Sequence, residues 1–189
     1  SPVYRIARLG VGRTFQNLKL FGSMSVLENL MIGAHQMTKI GLVRFLVDLP
    51  GEKREEKLLT ERAEQVLEEI GLADLRHEKV KNLAYGKQKM TELGRALMLK
   101  PALLILDEPA AGLNPSERRE FVDILLKTHE RGIDLFLIEH NMDVVMNIST
   151  KITVLNFGAK IAEGTPYEIQ NNDEVIRAYL GDKYKPVEG

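Results

Sequence analysis

The chain contains no cysteine. That excludes a disulfide framework and a thiolate metal site, and it leaves a reducing compartment allowed but not demanded. No apolar run approaches the ~18 residues of a membrane-spanning helix, and no signal peptide is visible, so any link to a membrane is expected to run through a protein partner. Charge of one sign is also missing. Against 26 Lys and Arg stand 27 Asp and Glu, a formal net charge of -1, which argues against global attraction to nucleic acid or anionic lipid. There is no internal repeat and no low-complexity segment. What is present suits a soluble globular protein: 44% of the 189 residues are hydrophobic and 28% charged. That length can bury a sizeable core in one domain, with room for a subdomain.

The stretch LLILDEPAAGLNP, Leu103 to Pro115, organises the rest. Four apolar residues without alternation read as a strand buried on both faces, as in parallel sheets packed between helices. Asp107 and Glu108 then sit at its carboxyl end, where open α/β sheets bind ligands. Adjacent strand residues point to opposite sides, so the two acids are expected to do different work. One can hold hydrated Mg²⁺ while the other faces a water beside a phosphate, a division that phosphoryl transfer needs. On spacing alone, a strand ending in a polar turn is an equal reading.

Gly10 to Gln16 reads as a flexible approach. Its G-x-G lacks the third glycine and the flanking strand and helix of a dinucleotide site. Ser25 followed by Glu28 is a capping box for a helix carrying Val26, Leu27, Leu30 and Met31. Residues 41–53 are irregular, with Phe45 to Leu49 packing a loop or short helix. A long amphipathic helix follows from Arg54, with Leu59, Ala63, Val66, Leu67 and Ile70 on one stripe, stopped by Gly71. Another helix places Met90, Leu93, Ala96 and Leu97 at helical spacing and ends before Pro101. Beyond the central strand, Ser116 is expected to cap a helix, and a second buried strand spans Leu135 to Ile138 and runs into Glu139 and His140. A helix over 141–147, strands over 152–157 and 160–162, and short helices after Thr165 and Glu174 complete the chain. The strand pair reads as an antiparallel hairpin added to a parallel βαβ unit. Neighbouring strand ends in such a unit should bring His140 near Asp107 and Glu108. A lone His there is more often a satisfied structural residue, but with two strand-end acids it suggests a site that polarises a water.

The order of Phe15-Gln16, LAYGKQ at 83–88, LLILDEP at 103–109, AGLNP at 111–115 and His140 resembles the ATP-binding subunits of ABC transporters over nearly the whole chain. RTFQN, AYGKQ, AGLNP, EHNMDVVM and the terminal AYLG look most like the branched-chain amino acid importers. Urea importers and lipopolysaccharide exporters share much of this pattern.

The resemblance implies a P-loop NTPase-like α/β fold, with ATP and Mg²⁺ as cofactors. It implies a second ATPase subunit, identical or not, and transmembrane permease subunits as partners, at the cytoplasmic face of the cell membrane. Gln16 resembles the glutamine that contacts Mg²⁺ and the attacking water, and the region from Phe15 to His35 the surface that meets the permease. Leu83, Ala84, Tyr85, Gly86 and Lys87 resemble the signature that caps the partner subunit's ATP. Ala84 stands for the usual Ser, Tyr85 for the first Gly and Lys87 for the Gln, so a hydroxyl is lost and a charge is offered. Asp107 resembles the Mg²⁺ residue, Glu108 the general base and His140 the switch histidine. Asn114 takes the place of an Asp in the dimer-facing loop.

No window of the sequence matches the phosphate loop G-x-x-x-x-G-K-[ST], which in the family lies upstream of the glutamine. The chain also begins Ser-Pro-Val-Tyr. The simplest expectation is an N-terminally truncated ATPase subunit, with the first strands missing. The alternative is a non-hydrolytic interaction module that completes a partner's ATP site. The expected organisation is the glutamine segment and permease contact over 1–23, a helical subdomain with the signature over 24–98, a catalytic α/β core over 99–165 and C-terminal helices over 166–189.

Overall fold

The computed structural model describes residues 10–13, 20–35 and 52–180. Gln16 and the segment from Phe45 to Leu49 lie outside them. The backbone divides into two compact units, Ser1–Glu139 and His140–Gly189.

In the first unit, strands β1 (Val11–Arg13), β2 (Leu103–Asp107) and β3 (Asp134–Ile138) form a parallel sheet in that order. The register pairs Gly12 with Leu104, Leu104 with Leu135 and Asp107 with Ile138. β1 takes up Val11–Arg13 of the flexible approach expected at Gly10 to Gln16, whose residues 14–16 lie outside the described residues. Two glycines hid it, because strand propensity is low at Gly while pairing with β2 is non-local. Helices α1 (Val26–His35), α2 (Glu52–Glu69) and α3 (Tyr85–Leu97) pack on one another, joined by 3₁₀ turns at Ala73–Leu75 and Val80–Asn82. Their shared core is Val26, Leu30, Ala63, Val66, Leu67, Ile70, Leu72, Met90, Leu93 and Leu97, none more than 1% exposed. Each large aliphatic side chain in it contributes roughly 1.5–3 kcal/mol by leaving water. The close crossing of α1 and α3 depends on small residues: a Cβ on Gly33 would stand 2.8 Å from the Arg95 carbonyl oxygen.

The Ser25–Glu28 capping box forms as expected, with the Ser25 N–H donating to Glu28 Oε2 at 2.7 Å and the Glu28 N–H donating to Ser25 Oγ at 3.2 Å. Asn29 is fully buried and satisfied, its amide bridging both backbone groups of Phe21. Gly71 ends the connection after α2 with φ +68°. Helix α4 (Pro115–Glu130) crosses between β2 and β3. Its cap is Asn114, not the Ser116 expected from sequence: the Asn114 Oδ1 accepts from the Ser116 and Glu117 N–H groups at 2.9 and 3.0 Å. Asn followed by Pro at the first helical position out-competes a Ser already inside the first turn.

β3 is not the buried strand its apolar run suggests. Leu104 and Leu106 are fully buried, and Leu135 and Leu137 lie on that face with them, but Phe136 is 55% and Ile138 50% exposed on the other. Helices α3 and α4 pack against the strands. The face carrying Leu103, Ile105, Asp107, Phe136 and Ile138 is less covered among the described residues, so the run's burial alternates although its hydropathy does not.

The second unit contains α5 (Met142–Ile148), an antiparallel pair of strands, β4 (Ile152–Asn156) and β5 (Ala159–Gly164), and helices α6 (Pro166–Gln170) and α7 (Asp173–Leu180). The hairpin was expected as an addition to the parallel sheet. It forms a two-stranded sheet of its own. Ile152, Ile169 and Val175 make its core. Asn141 caps α5, and Thr165 caps α6 in a capping box with Glu168.

Candidate functional site

β2 stops at Asp107, which the pairing sets beside Ile138. Glu108 has left the strand: its φ of +45° lies in the left-handed region that a residue with a side chain adopts at a cost of order 1–2 kcal/mol. The two acids are therefore separated by a backbone kink and not by strand alternation, which corrects the simple opposite-faces argument. The kink is held by the Glu108 N–H, which donates to the Ile138 carbonyl at 2.8 Å. Strain of this kind collects at functional sites, where surrounding structure over-determines it.

The loop that follows is tied down at each step. The Ala110 N–H donates to Glu139 Oε1 at 2.9 Å, the Ala111 N–H to the Glu108 carbonyl at 3.1 Å and the Leu113 N–H to the Ala110 carbonyl at 3.2 Å. Pro109, Ala110 and Leu113 are buried, and Gly112 turns the chain with φ +78°. The Asn114 N–H donates to Glu117 Oε2 at 3.0 Å and closes the capping box of α4. Sequence reasoning missed Glu139. Its place directly after a strand paired with β2 is the only local signal, because its work depends on register.

The signature residues form the entrance to α3. Leu83 is extended at the end of a 3₁₀ turn, and its carbonyl accepts from Gln88 Nε2 at 2.9 Å. Ala84 is the cap residue of α3 and, lacking a hydroxyl, makes no side-chain capping bond. The first-turn N–H groups of a helix left this way favour an anion. Tyr85 is 43% exposed and Gly86 buried. Lys87 is engaged: its Nζ lies 2.6 Å from Glu120 Oε1 on α4. The charge that the sequence offered to a phosphate is thus balanced within the chain.

His140 is the first residue of the second unit, two positions past the end of β3, and is exposed. Gln16 lies outside the described residues. No group of three or more His, Cys, Asp or Glu side chains that could hold a metal occurs among the described residues, and no described helix is long and apolar enough to cross a membrane.

Residues 2–111 match the family model of the ABC transporter. The chain belongs to the ABC transporter family. Residues 159–185 also match a model described as the branched-chain amino acid ATP-binding cassette transporter. Among curated relatives of this family member is the high-affinity branched-chain amino acid transport ATP-binding protein LivG of Salmonella typhimurium, 46% identical over 183 residues, which span 96% of this chain and 71% of the relative. BraF of Pseudomonas aeruginosa, with the same description, is 42% identical over the same shares. The lipopolysaccharide export system ATP-binding protein LptB of Haemophilus influenzae is 28% identical, over 97% of this chain and 70% of the relative. A solved ATP-binding cassette of an ABC transporter in its ADP conformation superposes with a TM-score of 0.79 at 31% identity, covering 95% of this chain and 71% of that one. These findings carry the ABC ATPase fold expected from sequence.

Proposed function

We infer that the chain belongs to the ATP-hydrolysing subunit of a transporter that imports branched-chain amino acids. What supports the solute is the agreement of the 42–46% identical relatives with the separate match at 159–185, against 28% identity to the lipopolysaccharide exporter. What supports hydrolysis is one observation: Glu108 sits at the end of the central parallel strand in a left-handed conformation held by Ile138. A carboxylate fixed there can accept a proton from a water and orient it, which is the part of phosphoryl transfer that a side chain must perform.

Asp107 is the residue that would hold Mg²⁺. One carboxylate, with no cluster of three such ligands among the described residues, suits a cation that keeps its waters and takes its other contacts from nucleotide phosphates. When bound, the ion supplies charge neutralisation at those phosphates. His140 is assigned to a phosphate oxygen as the switch histidine, and Gln16 to Mg²⁺ and the attacking water. Residues Leu83 to Gly86 present the first turn of α3 to the nucleotide of a second ATPase subunit. Lys87, paired to Glu120, supports that turn. Asn114 serves the dimer-facing loop by capping α4. Transmembrane permease subunits are the mechanical partners, at the cytoplasmic face of the membrane.

The test joins residues 1–189 behind the phosphate-loop segment of a relative and compares wild type with Glu108→Gln. The variant is expected to bind ATP with Mg²⁺ unchanged by calorimetry while turnover falls roughly 10²- to 10⁴-fold, the usual share of a general base. Unchanged turnover would overturn the assignment of Glu108.

A further inference from the structure

Three consecutive residues at the start of α3 touch the segment that leads from Glu108 to Asn114 or the helix α4 that follows it. A Cβ placed on Gly112 would stand 2.9 Å from Tyr85 Cε1, so the tyrosine ring lies directly against that glycine's backbone. A Cβ on Gly86 would stand 2.6 Å from Glu117 Oε1, the same carboxyl group that closes the capping box with Asn114. Lys87 Nζ meets Glu120 Oε1 at 2.6 Å. Lys89, only 4% exposed, places its Nζ 5.9 Å from the centroid of the Tyr85 ring. A cation over an aromatic face and away from water holds that ring in place.

The contacts alternate in kind. Ring against backbone, backbone against carboxylate and ammonium against carboxylate give a seam that resists both sliding and separation. Gly112 is required twice, by its φ of +78° and by the ring that covers it. On the far side of the loop, the Ala110 N–H is held by Glu139, and Arg118 Nη2 donates to the Leu113 carbonyl at 3.3 Å. The segment from Glu108 to Asn114 is therefore clamped between β3 and the start of α3.

We propose that Tyr85 and Lys87 are positioning residues for the acid loop: Tyr85 binds the start of α3 to the segment 108–114 at Gly112, and Lys87 binds it to α4, the helix that segment leads into, so that the three move as one body. Its functional meaning rests on the reading of Glu108 above. The start of α3 faces the partner subunit's nucleotide and Glu108 the chain's own, so the seam carries the state of one site to the other through side chains of a single subunit. Tyr85, where the usual pattern has Gly, supplies the ring that makes the clamp.

Residue-resolved amide hydrogen exchange on the 189-residue chain, without nucleotide, tests this. Tyr85→Ala is expected to speed exchange of the Ala110, Ala111 and Leu113 amides about tenfold, while those of Leu104 and Leu106 in β2 stay unchanged, because the loop opens locally. Tyr85→Phe keeps the ring and is expected to keep the protection. Lys87→Glu sets like charges against Glu120 and should speed the same amides; adding Glu120→Lys should restore them. Unchanged loop exchange in Tyr85→Ala, or a charge swap that fails to restore protection, overturns the proposal. If Tyr85→Ala loses helical circular dichroism, the charge swap decides alone. Failure of the nucleotide reading would show in the turnover of Glu108→Gln and leave these exchange rates where they are.

Discussion

Glu139 and Ala110 are joined across two strands: the carboxylate at the end of β3 accepts the backbone N–H of the loop that follows β2, at 2.9 Å. An N–H to a carboxylate is a charge-assisted bond, stronger than its neutral counterparts. Glu139→Ala leaves the buried Ala110 N–H without this acceptor and is expected to cost about 1–3 kcal/mol. Glu139→Gln keeps an acceptor oxygen and should cost less. Urea denaturation midpoints of the two variants check the order; equal losses would mean that the bond to Ala110 is not what Glu139 supplies.

Alanine at Gly33 and at Gly94 should differ in cost although both lie in helices. At Gly33 the added methyl meets the Arg95 carbonyl oxygen at 2.8 Å, a backbone atom that moves only with α3. At Gly94 it meets the Ile70 Cδ1 at 2.7 Å, the end of a side chain. Both gain roughly 0.5–1 kcal/mol of helix propensity. Overpacking of roughly 1–3 kcal/mol should outweigh that gain at Gly33 and roughly offset it at Gly94. Thermal melts read the ranking, and Ile70→Val should improve Gly94→Ala but not Gly33→Ala.

The turn between β4 and β5 has two residues with positive φ, Phe157 at +46° and Gly158 at +81°. Such hairpin turns favour Asn-Gly, and Phe157 is fully exposed with no packing to lose. Phe157→Asn is expected to stabilise the chain by about 1 kcal/mol by relieving left-handed strain. A lower midpoint in chemical denaturation would show that the ring contributes more than its exposure suggests.

Glu163 lies between Lys151 and Lys160 on the hairpin, with Lys160 Nζ at 2.9 Å. Hydrogen bonds from Lys151 and then Lys160, with their charges, hold its carboxyl down at about 2. A depressed carboxylate stabilises the fold above its unfolded value and ceases to do so as pH falls through the folded one. The stability gap between wild type and Glu163→Gln should therefore be full above about 4.5, the ordinary value, and close towards pH 2. Carboxyl NMR titration measures the midpoint directly. Lys151→Ala should raise it more than Lys160→Ala.

Much of this architecture was legible in the residues because its signals are local. Ser25 with Glu28, Gly71, Thr165 with Pro166, and the apolar stripe of α3 each fix a boundary through groups a few positions apart. What escaped was non-local. β1 is a strand because Gly12 pairs with Leu104, across a gap that its own composition does not announce. The exposure of Phe136 depends on which layers cover the sheet, not on its neighbours in sequence. In the site, Asp107 and Glu108 were found from a strand end, whereas Glu139 and the contact of Tyr85 with Gly112 depend on register and helix crossing. Asn114 was noticed for the dimer-facing loop, and its capping of α4 was hidden by Ser116 two residues on.

Asp107 shares its side of the sheet with Phe136 and Ile138, paired directly with the latter and half a strand from the former. A carboxylate bordered by hydrocarbon on an open surface still feels the high dielectric of water. Once any layer covers those two side chains, field lines from Asp107 pass through a medium of far lower polarisability. Its attraction for a cation then rises. A grip on a metal at Asp107 would in this way be a property of the covering as much as of the acid, with two half-exposed apolar side chains as its dielectric control.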